Sequence, residues 1–240
     1  MSRRARSRVV ESSFFPADVG VSSTSNDEGA PLLVGVVPPP PVIAGEVFGD
    51  RLPLAIAYAE LLCTVGAQRG VIGPREGERI WDRHLLNCAA LSPFIPADSA
   101  VVDVGSGGGL PGIVLAVARP DLRLTLVDSM ARRTDFLTEV VDALGLTARV
   151  TVIRARAEEL KRRDQVVTAR AVADPLRLAQ WATKLLGVHG RLVALVGATV
   201  VADTDQWRPS MQKSGWADVS VETTHLAGVS PSCVLRARRR

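Results

Sequence analysis

Val101-Val102-Asp103-Val104-Gly105-Ser106-Gly107-Gly108-Gly109-Leu110-Pro111-Gly112 is the stretch whose reading decides the fold. A β-branched apolar run passes into small residues and then a proline, the order expected of a buried strand, a tight turn and the first turn of a helix. Glycines at 105, 107 and 109 permit positive φ and let a ligand approach the backbone without meeting a Cβ. A ligand-free strand-to-helix turn would show the same pattern, so the loop alone does not establish a site. Asp128 adds the second half of the argument. It ends another apolar run, Leu124-Thr125-Leu126-Val127, twenty-five positions after Asp103. An acid at the tip of the next parallel strand is where ribose hydroxyls are held, so loop and acid together imply a nucleoside-containing cofactor.

Outward from this stretch the pattern alternates strand and helix, the signature of an α/β fold with a parallel sheet covered on both faces. Strands are predicted at 100–104, 123–127, 149–153, 165–168 and 191–196. Helices are predicted near 111–118, 131–144, 157–162 and 175–186. Two last strands, 218–223 and 232–236, flank a short loop with Gly228 and Pro231 and should pair as an antiparallel hairpin. Upstream, apolar residues from Phe48 to Leu62 and a stripe of Ile80, Trp81, Leu85, Leu86 and Ala89 predict a helical cap over 46–97. Pro93 and Pro96 close the cap, and the remaining domain spans 98–240.

Residues 1–45 hold six prolines and a polar tract from Ser22 to Gly29. Such a segment cannot bury enough apolar surface to offset its ordering entropy and reads as a disordered extension. Its arginine- and serine-rich start faintly resembles a transit peptide, but Glu11, Asp18, Asp27 and Glu28 break that pattern.

The chain has 240 residues, 47% of them hydrophobic and 22% charged, enough for a full core in one main domain. Arg, Asp or Glu interrupts every apolar run short of the roughly 18–20 residues of a membrane span. Cys63, Cys88 and Cys233 lie far apart, without the spacing of metal ligands. No metal site is expected, and three small buried thiols in a reducing cytoplasm fit best. The net charge of +4 is concentrated at the two ends, in Arg3, Arg4, Arg6 and Arg8 and in Arg236, Arg238, Arg239 and Arg240, over a body of net −4. Basic tails suit nucleic-acid phosphates, and equally suit plain solvation.

Two cofactors remain open for the loop. A dinucleotide usually meets GxGxxG and a second domain for hydride transfer. Here the loop is GxGxG, and five strands lead into a terminal hairpin with no substrate domain. S-adenosylmethionine fits better, with its ribose on Asp128 and its methionine tail along Gly105–Gly109.

Three groups of residues, taken in order, carry a family resemblance. They are Trp81-Asp82-Arg83-His84-Leu85-Leu86-Asn87, then Asp103–Gly112, then Leu126-Val127-Asp128-Ser129 with Arg132-Arg133-Thr134-Asp135-Phe136-Leu137. With Ala157-Glu158 and Ala169-Arg170-Ala171-Val172-Ala173, the chain from about residue 46 onward resembles the RsmG (GidB) family. That resemblance implies a Rossmann-like class I S-adenosylmethionine-dependent methyltransferase, cytoplasmic and monomeric, whose partner is 16S rRNA or the small ribosomal subunit. It further implies methylation of guanine N7 in the 530 loop. Gly105, Leu110, Ala157, Glu158 and Arg170 fall at the family's cofactor-contact positions. Asp103, Gly107, Gly109 and Asp128 complete the expected cofactor set. Arg83 and His84 would sit with Arg170 at the cofactor mouth and position the substrate.

Guanine N7 has an in-plane lone pair and loses no proton on methylation, so no general base is expected. The chain shows neither the Pro-Pro-aromatic motif of amino-nitrogen methylation nor a cysteine placed for C5 methylation. Arg132 reads as solvated helix surface beside a more engaged Arg133. Trp181, at helical spacing from Leu178 and Leu185, reads as core, and Trp207, in a polar stretch, as a residue for stacking on a base. Val196-Gly197 departs from the family, which carries lysine before that glycine; a phosphate contact is lost with it. The competing readings are a methyltransferase for another RNA or a small molecule, and a non-catalytic ribosome-assembly RNA-binding protein that keeps the fold.

Overall fold

The computed structural model describes residues 37–73, 75–170 and 173–240. The seven strands are β1 Ala100–Val104, β2 Arg123–Asp128, β3 Val150–Arg154, β4 Asp164–Arg170, β5 Leu186–Val196, β6 Trp216–Thr224 and β7 Ser232–Arg239. They form one sheet in the order β3-β2-β1-β4-β5-β7-β6. The first five pair in parallel. β7 runs antiparallel to both β5 and β6, so the expected hairpin folds back with its later strand on the inside.

Side chains alternate between the two faces of the sheet. Val101, Leu126, Val166, Val193 and Val234 pack on one side with the helices α4 (Gly112–Ala118) and α5 (Ala131–Ala143). Val102, Val167, Leu192 and Leu235 pack on the other with α6 (Pro175–Leu185) and α8 (Thr204–Lys213). Asp174 caps α6, its Oδ1 accepting from the N–H groups of Leu176 and Arg177.

The helical segment before the sheet is not a separate domain. It comprises α1 (Val42–Phe48), α2 (Leu52–Leu61) running on through a wide turn to Gly66, then a wide turn Ile80–Leu86 leading into α3 (Asn87–Ala89). Tyr58, Leu62, Leu85 and Leu86 share one core with Val101, Ile113 and Leu126. Ordered structure also starts before Glu46. Val37 packs on this core, and the Trp81 indole donates to the Pro38 carbonyl at 2.8 Å. The chain is therefore anchored from the start of the proline run, before the expected boundary at 45. The rest of the proposed extension, residues 1–36, lies outside the described residues.

Other differences have physical causes. The helix expected over 157–162 is a single turn, Ala157–Glu159, because Lys161-Arg162-Arg163 offers no apolar face to bury. β5 begins at Leu186, directly after α6, where Gly187 and Gly190 hide a strand from a propensity reading. Between β5 and β6 lie two unforeseen helices, α7 (Ala198–Ala202) and α8. The carboxyl-terminal arginines are no tail. Arg236 pairs with Glu222 and lies 5.0 Å from the Phe94 ring centroid, while Arg238 pairs with Asp218 at 2.7 Å. Cys63 and Cys88 are buried, and Cys233 is only partly so. Among the described residues no helix is long and apolar enough to cross a membrane.

Candidate active site

A cavity of about 330 Å³ opens at the carboxyl ends of β1, β2 and β3, bounded by Val104, Gly105, Asp128, Met130, Ala157 and Trp181. Asp128 ends β2 with only 3% of its surface exposed. Its Oδ1 accepts from the Met130 N–H at 2.9 Å and its Oδ2 from the Gly107 N–H at 3.0 Å. The Arg133 guanidinium approaches Oδ2 more loosely, at 3.5 Å. A carboxylate offers about four acceptor directions, so Asp128 retains capacity for a ligand hydroxyl while holding the loop. Arg132 is exposed and Arg133 lines the cavity, as their order in the helix suggested.

The glycine loop has two unlike halves. Gly105 (φ 67°) lines the cavity, and a Cβ on Gly107 (φ 57°) would meet only the Gly105 carbonyl at 3.9 Å. Gly108 and Gly109 instead face the helical segment. A Cβ on Gly108 would lie 2.9 Å from Val71, and one on Gly109 would lie 2.5 Å from Ile113 and 2.9 Å from the Tyr58 hydroxyl. That hydroxyl donates to the Gly108 carbonyl at 2.7 Å. The later glycines thus admit protein atoms, and Gly109 does not line this cavity. Leu110 likewise belongs to the core and does not line the cavity.

Asp103 is a brace beneath the loop. It is fully buried, its Oδ2 accepts from the Gly112 N–H at 3.0 Å, and among the described residues its Oδ1 has no partner, the Ser106 hydroxyl donating instead to the Asp103 backbone carbonyl at 3.0 Å. Burial, against the opposing Gly112 hydrogen bond and with Asp128 adding to the rise, pushes its carboxyl up to about 7. Asp103 supports the cofactor loop from below and does not face the cavity.

Arg83, His84 and Arg170 come together, on the same sheet face as Asp103 and outside the lining of this cavity. Arg170 ends β4 and donates from Nη2 to His84 Nδ1 at 2.7 Å, and from Nη1 to the Arg83 carbonyl at 3.3 Å and Cys88 Sγ at 3.5 Å. On the far side of the ring, His84 Nε2 meets Glu76 Oε2 at 2.6 Å. Burial and the Arg170 charge lower the His84 pKa, against the raising pull of Glu76. For Glu76 burial raises the pKa, but the His84 hydrogen bond and the nearby arginines prevail and lower it. Burial pushes the Cys88 thiol up to about 11, so it is no nucleophile at neutral pH. Arg83 is exposed and lies 3.8 Å from Glu76.

Residues 51–230 match the family profile described as rRNA small subunit methyltransferase G, GidB. The chain belongs to this family. It is 54% identical over 211 residues to the ribosomal RNA small subunit methyltransferase G of Salinispora tropica, covering 84% of this chain and 87% of that protein. A relative of the same name from a Mycobacterium species is 49% identical over 210 residues, covering 85% and 92%. In fold, the chain resembles a protein assigned as an O-methyltransferase from Nostoc punctiforme, with a TM-score of 0.52 at 13% identity over 82% of this chain and 69% of that one. The architecture is that of the class I methyltransferases.

Within this chain, the Trp81–Asn87 motif acts mainly as a set of ties. Trp81 holds Pro38, Asp82 accepts from the Ser230 N–H at 2.8 Å, and Asn87 donates to the Ser232 hydroxyl at 2.7 Å. His84 holds Arg170. Only Arg83 is left exposed among the motif's charged and ring-bearing residues other than half-buried Asp82. Of the two tryptophans, Trp181 packs against the core as expected but also borders the cavity, while Trp207 does not fit its expected role. Trp207 sits on α8, 7% exposed, with its indole donating to the Val200 carbonyl at 2.9 Å, so it cannot stack on a base. Trp181 is half-buried at the cavity wall, with the Arg177 guanidinium 5.1 Å from its ring centroid. Val196 packs partly buried against the core on the α6 side. Sequence reasoning missed Met130, Arg177 and Glu76. The exposed Met130 directly after Asp128-Ser129 was the available signal; for Glu76 there was none.

Proposed function

We propose that the chain transfers a methyl group from S-adenosylmethionine to N7 of a guanine in the 530 loop of 16S ribosomal RNA. The observation that carries this reading is family membership over three quarters of the chain, joined to a strand-end carboxylate in a cavity beside a glycine loop. The residues present fit the cofactor. Asp128 retains an acceptor for a ribose hydroxyl, Met130, Ala157 and Trp181 supply apolar surface for a purine, and the Gly105–Gly107 half of the loop is open. When bound, the cofactor supplies an electrophilic sulfonium methyl.

The chain's own part is placement. Guanine N7 brings its own lone pair, so the protein has no proton to remove and most of the rate must come from orientation. Arg170, steadied by buried His84, contacts the base. Its guanidinium carries five N–H donors, three of which are taken by the protein among the described residues, leaving two for acceptors on the RNA. Exposed Arg83 suits a phosphate. A small-subunit substrate implies a cytoplasmic location.

The deciding experiment is transfer of labelled methyl to small subunits or their RNA, with N7-methylguanine mapped by chemical cleavage. Transfer at a single guanine of the 530 loop is expected. Cofactor binding without transfer to any RNA would favour an assembly factor, the reading that Val196 in place of lysine supports. Asp128→Ala is expected to weaken S-adenosylmethionine binding about tenfold or more by calorimetry, the loss of a charged hydrogen-bond acceptor; unchanged affinity would remove the ribose assignment.

A further inference from the structure

We infer that Glu76 is a positioning residue that fixes the tautomer of His84 and, through it, the orientation of the Arg170 guanidinium toward the RNA base. This rests on the proposed role of Arg170 in holding the substrate. Arginine nitrogens only donate, so the 2.7 Å contact from Arg170 Nη2 requires a lone pair on His84 Nδ1. The imidazole is then neutral with its proton on Nε2, and among the described residues the acceptor of that proton is Glu76 Oε2 at 2.6 Å. An ionised carboxylate makes this bond charge-assisted and selects the Nε2–H form. The opposite tautomer would set an Nδ1–H against an arginine N–H, in a ring that is only 4% exposed.

The groups around the ring agree with this assignment. Arg83 faces Glu76 from the same helical turn as His84, Cys88 shares Arg170, and the Arg170 charge also acts on buried Tyr58 and Asp103. Glu76 is the nearest carboxylate to the ring, and it comes from the turn preceding the helical motif, outside every motif that marks the family. Glu76 does not line the cavity and makes no hydrogen bond to Arg170 among the described residues, so its influence must pass through His84.

The test compares wild type with Glu76→Gln and Glu76→Asp in the full chain. Nitrogen-15 histidine spectra report the tautomer directly, and with only three histidines in the sequence, His84, His189 and His225, assignment by single substitution is simple. Wild type is expected to show His84 as Nε2–H. In Glu76→Gln, whose amide can donate to Nε2 as well as accept from it, the Nδ1–H form should become populated and single-turnover methyl transfer should slow about tenfold, as expected for losing a hydrogen bond to a charged group. S-adenosylmethionine affinity and the thermal midpoint should stay near wild type. Glu76→Asp should restore the Nε2–H form and most of the rate. A tautomer shift without slowing, slowing without a tautomer shift, or neither, would overturn the inference. A wild type that transfers no methyl group to any RNA would overturn the functional reading instead, and the spectra would still decide the tautomer claim.

Discussion

The two halves of the glycine loop look alike in sequence and do opposite things in space. Gly105 lines the cavity and a Cβ on Gly107 would meet no side chain; Gly109 and Gly112 are glycine because protein atoms already fill the space. A run of glycines therefore has to be read residue by residue. The open half serves a ligand, and the filled half binds the loop to the helices that cover it.

Substitutions should separate the halves, beginning with the filled one. A Cβ at Gly112 would lie 2.3 Å from Leu126 Cδ2 and 2.6 Å from Asp103 Oδ2, so Gly112→Ala is expected to cost about 3 kcal/mol in denaturant unfolding. A near-normal midpoint would show that α4 can slide away from β1. Asp103 gives the next effect, and it depends on pH. An unfolded aspartate releases its proton near 3.8, whereas the folded one holds it to about 7. Between these values the folded state binds more protons, so its contribution is complete below about pH 4 and is lost as pH rises through 7. Asp103→Asn should remove this decline, and the difference in thermal midpoint between the two proteins should grow from pH 4 to 7. A constant difference would mean that Asp103 ionises normally.

Smaller effects test the seam between loop and helices. Tyr58→Phe leaves the Gly108 carbonyl without its donor and should cost about 1–2 kcal/mol, with cofactor affinity little changed. Gly107→Ala meets no neighbour closer than 3.9 Å and pays only for positive φ, about 1 kcal/mol. Its larger effect should be on cofactor binding, measured by calorimetry. If Gly107→Ala destabilises more than Tyr58→Phe, the contrast between the halves fails.

Much of the fold was legible because β-branched runs and turn residues alternate from Ala100 onward. The sheet, its parallel order and the closing hairpin followed from that alternation. α8 did not, since Thr204–Lys213 buries only Thr204, Trp207 and Met211 and contains Pro209. The arginines of β7 looked like a tail because charge was counted without the strand period that places Arg236 and Arg238 on one face. At the site, Gly105, Asp128, Ala157 and Glu158 were legible, since each follows a strand and strand ends gather at one edge. Trp181 was not. Its spacing from Leu178 and Leu185 puts it at the margin of the apolar stripe, and only packing decides whether a marginal residue faces core or cavity. Glu76 was hidden for another reason. Its partner, His84, is eight residues away across a turn, and the arginine that gives their contact meaning is on another strand.

The placing of the tryptophans has an optical consequence. Trp81, Trp207 and Trp216 are 4%, 7% and 1% exposed, leaving Trp181 as the one indole that a collisional quencher in solution can reach readily. Its emission is therefore a native gauge of cavity occupancy: a molecule seated there shields that ring from iodide while the three sheltered fluorophores supply a steady background.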